Sequence, residues 1–312
     1  MMLVARHRFG TLAAVATVLA GVVLPIGMTA TPAAGQSSSE PPNCYSIPPY
    51  PANYNPPPSG TAISAFAISD PPQCVGYWVV LRNGYIEAFN DPPLYGDTSQ
   101  MALNAPVVTM APTPDGQGYW EVAKDGGVFA FGDAQFFGSM GGRNLAAPIV
   151  GFAVDQATGG YWLVGADGGV FAFHAPFLGS VPDASIHLNA PVVGIAATPD
   201  GGGYRLLAAD GGVFSFGDAA FYGSMGGQHL DAPVVGGAST KEGGGYWLVA
   251  ADGGVFAFGD ASFYGSQAGK PLNKPMVGMA PTPDDGGYCL VASDGGVFTF
   301  GDAVFGGAAY GS

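Results

Sequence analysis

The chain has 312 residues, a formal net charge of −14, and 10% charged against 48% hydrophobic residues. That acidity repels phosphate backbones and anionic membrane surfaces, which disfavours nucleic-acid binding. Gly 52 and Pro 27 would suggest disorder if scattered, but the glycines recur at fixed offsets among Phe, Tyr, Trp and Val and punctuate turns around a filled core.

In chain order, Arg6, His7 and Arg8 precede an apolar run from Leu12 to Ile26, broken by Thr17, and small residues follow from Thr29 to Gly35. This is the pattern of a secretory signal over 1–35. The run is short for a membrane span, and no second span or anchor is expected, so the mature chain should be released outside the cytoplasm. Residues 36–60 read as a Pro-rich linker of extended geometry, with prolines at 41, 42, 48, 49, 51, 56, 57 and 58. Cys44, Cys74 and Cys289 suit an oxidising compartment. A Cys44–Cys74 bridge is the favoured pairing because both flank the Pro-rich stretch. Cys74–Cys289 is the rival if the first and last repeats meet, and Cys289 otherwise packs as a small hydrophobe.

From Thr61 the chain repeats. Pro106, Pro148, Pro191, Pro233 and Pro275 stand 42, 43, 42 and 42 residues apart, a period that indicates a solenoid, propeller or array. Six units follow, at 61–105, 106–147, 148–190, 191–232, 233–274 and 275–312. The fifth is the clearest. Its apolar run Tyr246 to Ala251 stops at Asp252-Gly253, a dipeptide suited to a tight hairpin. Val255 to Phe258 resumes as strand, and Gly259-Asp260 breaks it before a short Phe263-Tyr264 strand. With the opening small-residue strand this predicts four strands per unit. Both faces of the middle strands are apolar, so each sheet must be covered on two sides. That favours an all-β, six-bladed β-propeller, the alternative being an open array that would leave two apolar faces exposed.

The Thr-Pro-Asp-Gly turn carries a resemblance. Thr198-Pro199-Asp200-Gly201-Gly202-Gly203-Tyr204 resembles the Asp-box hairpin of sialidases and other β-propellers. Thr113 to Trp120 is similar, and Thr282 to Cys289 and Thr240 to Trp247 keep part of it. The resemblance implies a structural hairpin remote from catalysis. The longer unit, GYWLVAADGGVFAFGDAxFYGS, resembles Gly-rich repeats of exported actinobacterial proteins, and this covers 61–312. That likeness implies export and no defined activity.

Catalytic constellations are sparse. After the signal the arginines are Arg82, Arg143 and Arg205 and the histidines His174, His187 and His229, with neither a nucleophile elbow nor metal-ligand spacing. No catalytic residue, cofactor or metal is expected. The repeated acids fall in two sets. Asp125, Asp167, Asp210, Asp252 and Asp294 sit at the hairpin turn, where Asp caps its own backbone. Asp133, Asp218, Asp260 and Asp302 follow the second Phe and are candidate ligand contacts. Departures from the repeat are the other candidates: Arg205 replaces the strand Trp, and His174 replaces the Gly of Gly-Asp. The expected function is a non-enzymatic binding or scaffolding module at the cell surface or cell wall, with a polysaccharide or a surface protein as partner. The alternatives are a multivalent, lectin-like glycan binder and, last, an extracellular hydrolase.

Overall fold

The computed structural model describes residues 63–68, 76–90 and 92–307, all within one compact unit, Pro41–Ser312. The signal, the linker, Cys44 and Cys74 lie outside the described residues.

Among the described residues there are eighteen strands and no helix, arranged as six three-stranded antiparallel sheets. The first holds β1 (Ile63–Ile68), β2 (Tyr77–Leu81) and β3 (Ile86–Phe89), and the second β4 (Val107–Pro112), β5 (Gly118–Ala123) and β6 (Val128–Gly132). The third holds β7 (Ile149–Val154), β8 (Tyr161–Gly165) and β9 (Val170–Phe173), and the fourth β10 (Val192–Ala197), β11 (Gly203–Ala208) and β12 (Val213–Gly217). The fifth holds β13 (Val234–Ser239), β14 (Gly245–Ala250) and β15 (Val255–Gly259), and the sixth β16 (Met276–Pro281), β17 (Gly287–Ala292) and β18 (Val297–Gly301). Each repeat supplies one whole sheet.

The hairpins form where the Asp-Gly pairs predict them. In the fifth repeat Asp252 Oδ1 accepts the Gly254 N–H at 2.9 Å, and Gly253 takes a φ of 81°. A Cβ on Gly253 would stand 2.6 Å from the Gln267 Cβ, so this turn needs glycine for space as well as for backbone sign. Asp125, Asp167, Asp210 and Asp294 accept the equivalent N–H, and Asn83 does so in the first repeat. These acids are occupied in turning the chain.

The middle strands β5, β11, β14 and β17 are buried along their whole length, as two apolar faces require. Each opening strand carries a bulge one residue after its start, as between Val234 and Gly236. The six opening strands face one shared cavity of about 210 Å³. Small residues such as Gly194, Gly236 and Gly278 line it, which lets the strands converge.

Three strands per repeat, and not four, is a correction. The Phe-Tyr segment makes no backbone ladder with the third strand, because it is fastened by side chains instead. In the second repeat the Trp120 indole N–H donates to the Gln135 carbonyl at 2.9 Å. The Tyr161 hydroxyl, from the next sheet, accepts the Phe137 N–H at 3.0 Å and donates to the Gly138 carbonyl at 2.8 Å. Gly138 lies under Phe173, where a Cβ would stand 2.7 Å from the ring. The segment therefore bridges two sheets. Gly132, at a φ of 69°, starts that departure.

Bonds of the same kind also join the sixth repeat to the first. Val107, Ile149, Val192, Val234 and Met276 each donate an N–H to a carbonyl of the preceding repeat's hairpin, and Ile63 donates to Ser293 of the sixth repeat. The Tyr77 hydroxyl donates to the Gly307 carbonyl, and Gly307 lies under Phe89 as Gly138 lies under Phe173. Strand β1 accordingly lies against both β4 and β16.

Candidate functional site

The acids after the second Phe have a common setting. The Thr113 hydroxyl accepts the Gly118 N–H at 3.0 Å and lies 2.8 Å from Asp115 Oδ1 and 3.2 Å from Asp133 Oδ1. Thr282 stands in the same way between Asp284 and Asp302, at 2.9 and 3.1 Å. Thr240 reaches Asp260 at 2.9 Å. The hydroxyl of Thr113 and the Gln117 N–H hold the Asp115 carboxyl below its usual range. These pairs close the corner between the first and second strands and the end of the third. Among the described residues no group of three or more His, Cys, Asp or Glu could hold a metal ion.

His174 sits in the left-handed region at a φ of 52°, the position that Gly132, Gly217, Gly259 and Gly301 fill near 68°. Its exposed ring stacks on Phe137 at 4.4 Å and 12°. In other repeats an aromatic or Leu side chain from the preceding segment covers this glycine, as Tyr222 covers Gly259. The imidazole thus belongs to the sheet-to-sheet packing.

Arg205 is placed differently. It is fully buried, at 0% exposure, in the middle of β11. Its Nε donates to the Ala220 carbonyl at 3.0 Å, fifteen residues on, and so takes over the bond that the tryptophan indoles make in four other repeats. The guanidinium then goes further. Nη1 donates to Ser239 Oγ at 3.1 Å and Nη2 to the Gly243 carbonyl at 3.3 Å. The Tyr246 and Tyr222 rings lie 4.8 and 5.6 Å from its carbon centre. No described carboxylate forms an ion pair with it. Burial pulls its pKa below the ordinary value, opposed by Tyr246, Tyr222, Asp218 and Asp260.

Beside Arg205 lies a pocket of about 430 Å³, within the size range of small-molecule sites. Asp200 and Asp218 line it from the fourth repeat together with Tyr222, and Lys241, Glu242 and Gly243 line it from the fifth. The Asp200 carboxyl is held below its usual range by the Thr198 hydroxyl and the Gly202 N–H. The wall therefore offers the Lys241 ammonium, three carboxylates and one aromatic ring, with the buried Arg205 guanidinium behind them. Of the candidate residues, Arg205 and Asp218 meet here; His174, Asp133, Asp260 and Asp302 are not among the lining residues. Reading the sequence repeat by repeat missed Lys241, Glu242 and Ser239. The signal was present: the fifth repeat has Ser239-Thr240-Lys241-Glu242 where the fourth has Ala197-Thr198-Pro199-Asp200. Neighbouring repeats depart from the pattern at residues that touch.

Cys289 takes the tryptophan position in β17 and is a free, buried thiol. Burial pushes its pKa up to about 12. Cys289 should therefore stay unlabelled by N-ethylmaleimide in the folded protein and react on unfolding, as read by peptide mapping. Rapid labelling under native conditions would contradict its burial.

In comparisons with known proteins, no protein-family model and no curated protein matches this chain. Among the described residues no helix is long and apolar enough to cross a membrane.

Proposed function

We propose that residues 61–312 form a closed, six-bladed β-propeller that is exported and serves as a non-enzymatic binding module, with its ligand site at the Arg205 pocket. Ring closure is supported by the cyclic hydrogen bonds, in which Ile63 and Tyr77 reach the sixth repeat as every other repeat reaches its predecessor. Export is supported by the leader pattern over 1–35. A binding role is supported over catalysis because the pocket brings opposite charges and an aromatic ring together with neither a nucleophile–base pair nor an oriented histidine.

One observation carries the reading. Arg205 and Lys241-Glu242 are departures from the repeat and line one pocket, and Ser239 next to them accepts a hydrogen bond from Arg205. Together they suit a small polar ligand bearing an anionic group for Lys241 and hydroxyl or amino groups for the acids, with the buried Arg205 positioning the wall beneath.

Arg205→Trp tests this, because it restores the residue of the other repeats and fills the space beside the pocket. The variant is expected to fold and to melt at or above the wild-type temperature. A panel of soluble cell-wall fragments, uronic acids and amino sugars is then screened by thermal shift. A ligand present at about one hundred times its Kd should stabilise the wild type by about 2.7 kcal/mol and leave the variant unmoved. A ligand that stabilises both equally would place the site elsewhere.

A further inference from the structure

The Phe-Tyr segment divides its two aromatic positions in a way that packing does not explain. At Tyr95, Phe137, Leu178 and Tyr264 the second position is half-buried between sheets, as Tyr264 is against Tyr288 at 5.7 Å. The first points outward. Leu94, Phe136, Phe177, Phe221, Phe263 and Phe305 are all exposed, between 53% (Phe177) and 60% (Phe136, Phe263). All six repeats thus keep a large apolar side chain in water at one register position. A soluble chain gains nothing in stability from such residues, and repeated exposed apolar groups mark interaction surfaces.

We propose that this rim of exposed rings is a multivalent docking surface for a neutral polysaccharide. The inference deepens the binding-module reading and rests on it, and its surface extends beyond the Arg205 pocket, which it meets only in the fourth repeat at Asp218. Three features select the occupant. First, five exposed rings at one register position, at Phe136, Phe177, Phe221, Phe263 and Phe305, suit a ligand that repeats its own groups, as a polymer of like sugars does. Second, an exposed aspartate stands three residues before the ring in four repeats, at Asp133, Asp218, Asp260 and Asp302. A carboxylate accepts sugar hydroxyls, while the negative face of a benzene ring attracts the weakly positive C–H face of a pyranose. Third, these acids and the net charge of −14 repel polyanions and anionic lipid.

The test uses the full mature chain on chitin, cellulose and mannan, with polygalacturonate as the anionic control. Wild type should be retained on at least one neutral polymer and not on polygalacturonate. Phe263→Ser should weaken retention by about fivefold, and Phe136→Ser/Phe263→Ser/Phe305→Ser by more than about thirtyfold, because simultaneous contacts multiply. The melting temperature should stay near wild type, since the side chains lie in water. Arg205→Trp should be retained like wild type. Four results would overturn the proposal: no retention on any neutral polymer, equal retention of the triple variant, retention lost in Arg205→Trp but kept in the triple variant, or self-association that the triple variant abolishes without any polysaccharide binding. The third would leave the binding-module reading standing with the pocket as its site. Loss in the triple variant with Arg205→Trp intact supports the rim.

Discussion

Glu121→Leu is expected to stabilise the protein at pH 8 by about 3–5 kcal/mol and to remove most of its pH dependence between about pH 5 and 8. Glu121 stands in the middle of β5, where the third to sixth repeats have Leu163, Leu206, Leu248 and Leu290. It is fully buried. Its Oε2 accepts the Thr98 N–H at 3.1 Å, and Oε1 has no hydrogen-bond partner among the described residues. Burial raises its pKa from 4.5 to about 8, with hydrogen bonds from Thr98 opposing the shift. A raised carboxyl binds its proton more tightly in the folded state. Its contribution is therefore intact below about pH 4.5 and declines as pH rises towards 8, by up to about 1.4 kcal/mol per pH unit. Urea unfolding at pH 5 and pH 8 measures this. Leucine removes the cost, and Glu121→Gln should flatten the pH dependence with a smaller gain. An unchanged slope in both variants would mean that the carboxylate is charged and satisfied in the folded protein.

The second large effect concerns the seam between the sixth and first repeats. Gly265 and Gly307 are equivalent, each in the left-handed region, at φ of 133° and 138°. A Cβ on Gly265 would stand 2.7 Å from the Phe300 ring, and one on Gly307 2.8 Å from the Phe89 ring. Alanine at either position combines backbone strain with overpacking, about 2–4 kcal/mol in all. The difference between the two lies in what they join. Gly265 links consecutive repeats, whereas Gly307 links the last repeat to the first.

The architecture was legible where it depends on local chemistry. Asp252-Gly253 specifies a hairpin whatever surrounds it, and the alternation of Tyr246 and Leu248 with Trp247 and Val249 requires cover on both sides. The missing fourth strand was not legible. Phe263 and Tyr264 have the composition of a strand, but Trp247 and Tyr288 hold their backbone from two different sheets. Such a choice between side-chain and ladder bonding is tertiary. The same holds for the exposure of Phe263, because an aromatic in a strand-like pattern reads as buried. Arg205 stood out as a departure from the repeat. Its meeting with Ser239 and Lys241 depends on which faces of neighbouring sheets touch, and the period does not supply that.

The proposed propeller rests on the six sheets closing into one ring. The most direct test compares the unfolding free energies of Gly265→Ala and Gly307→Ala in the same chain. A closed ring predicts equal losses of about 2–4 kcal/mol, because the two glycines are then in the same environment. A full loss for Gly265→Ala with none for Gly307→Ala would contradict closure and leave an open row of six sheets.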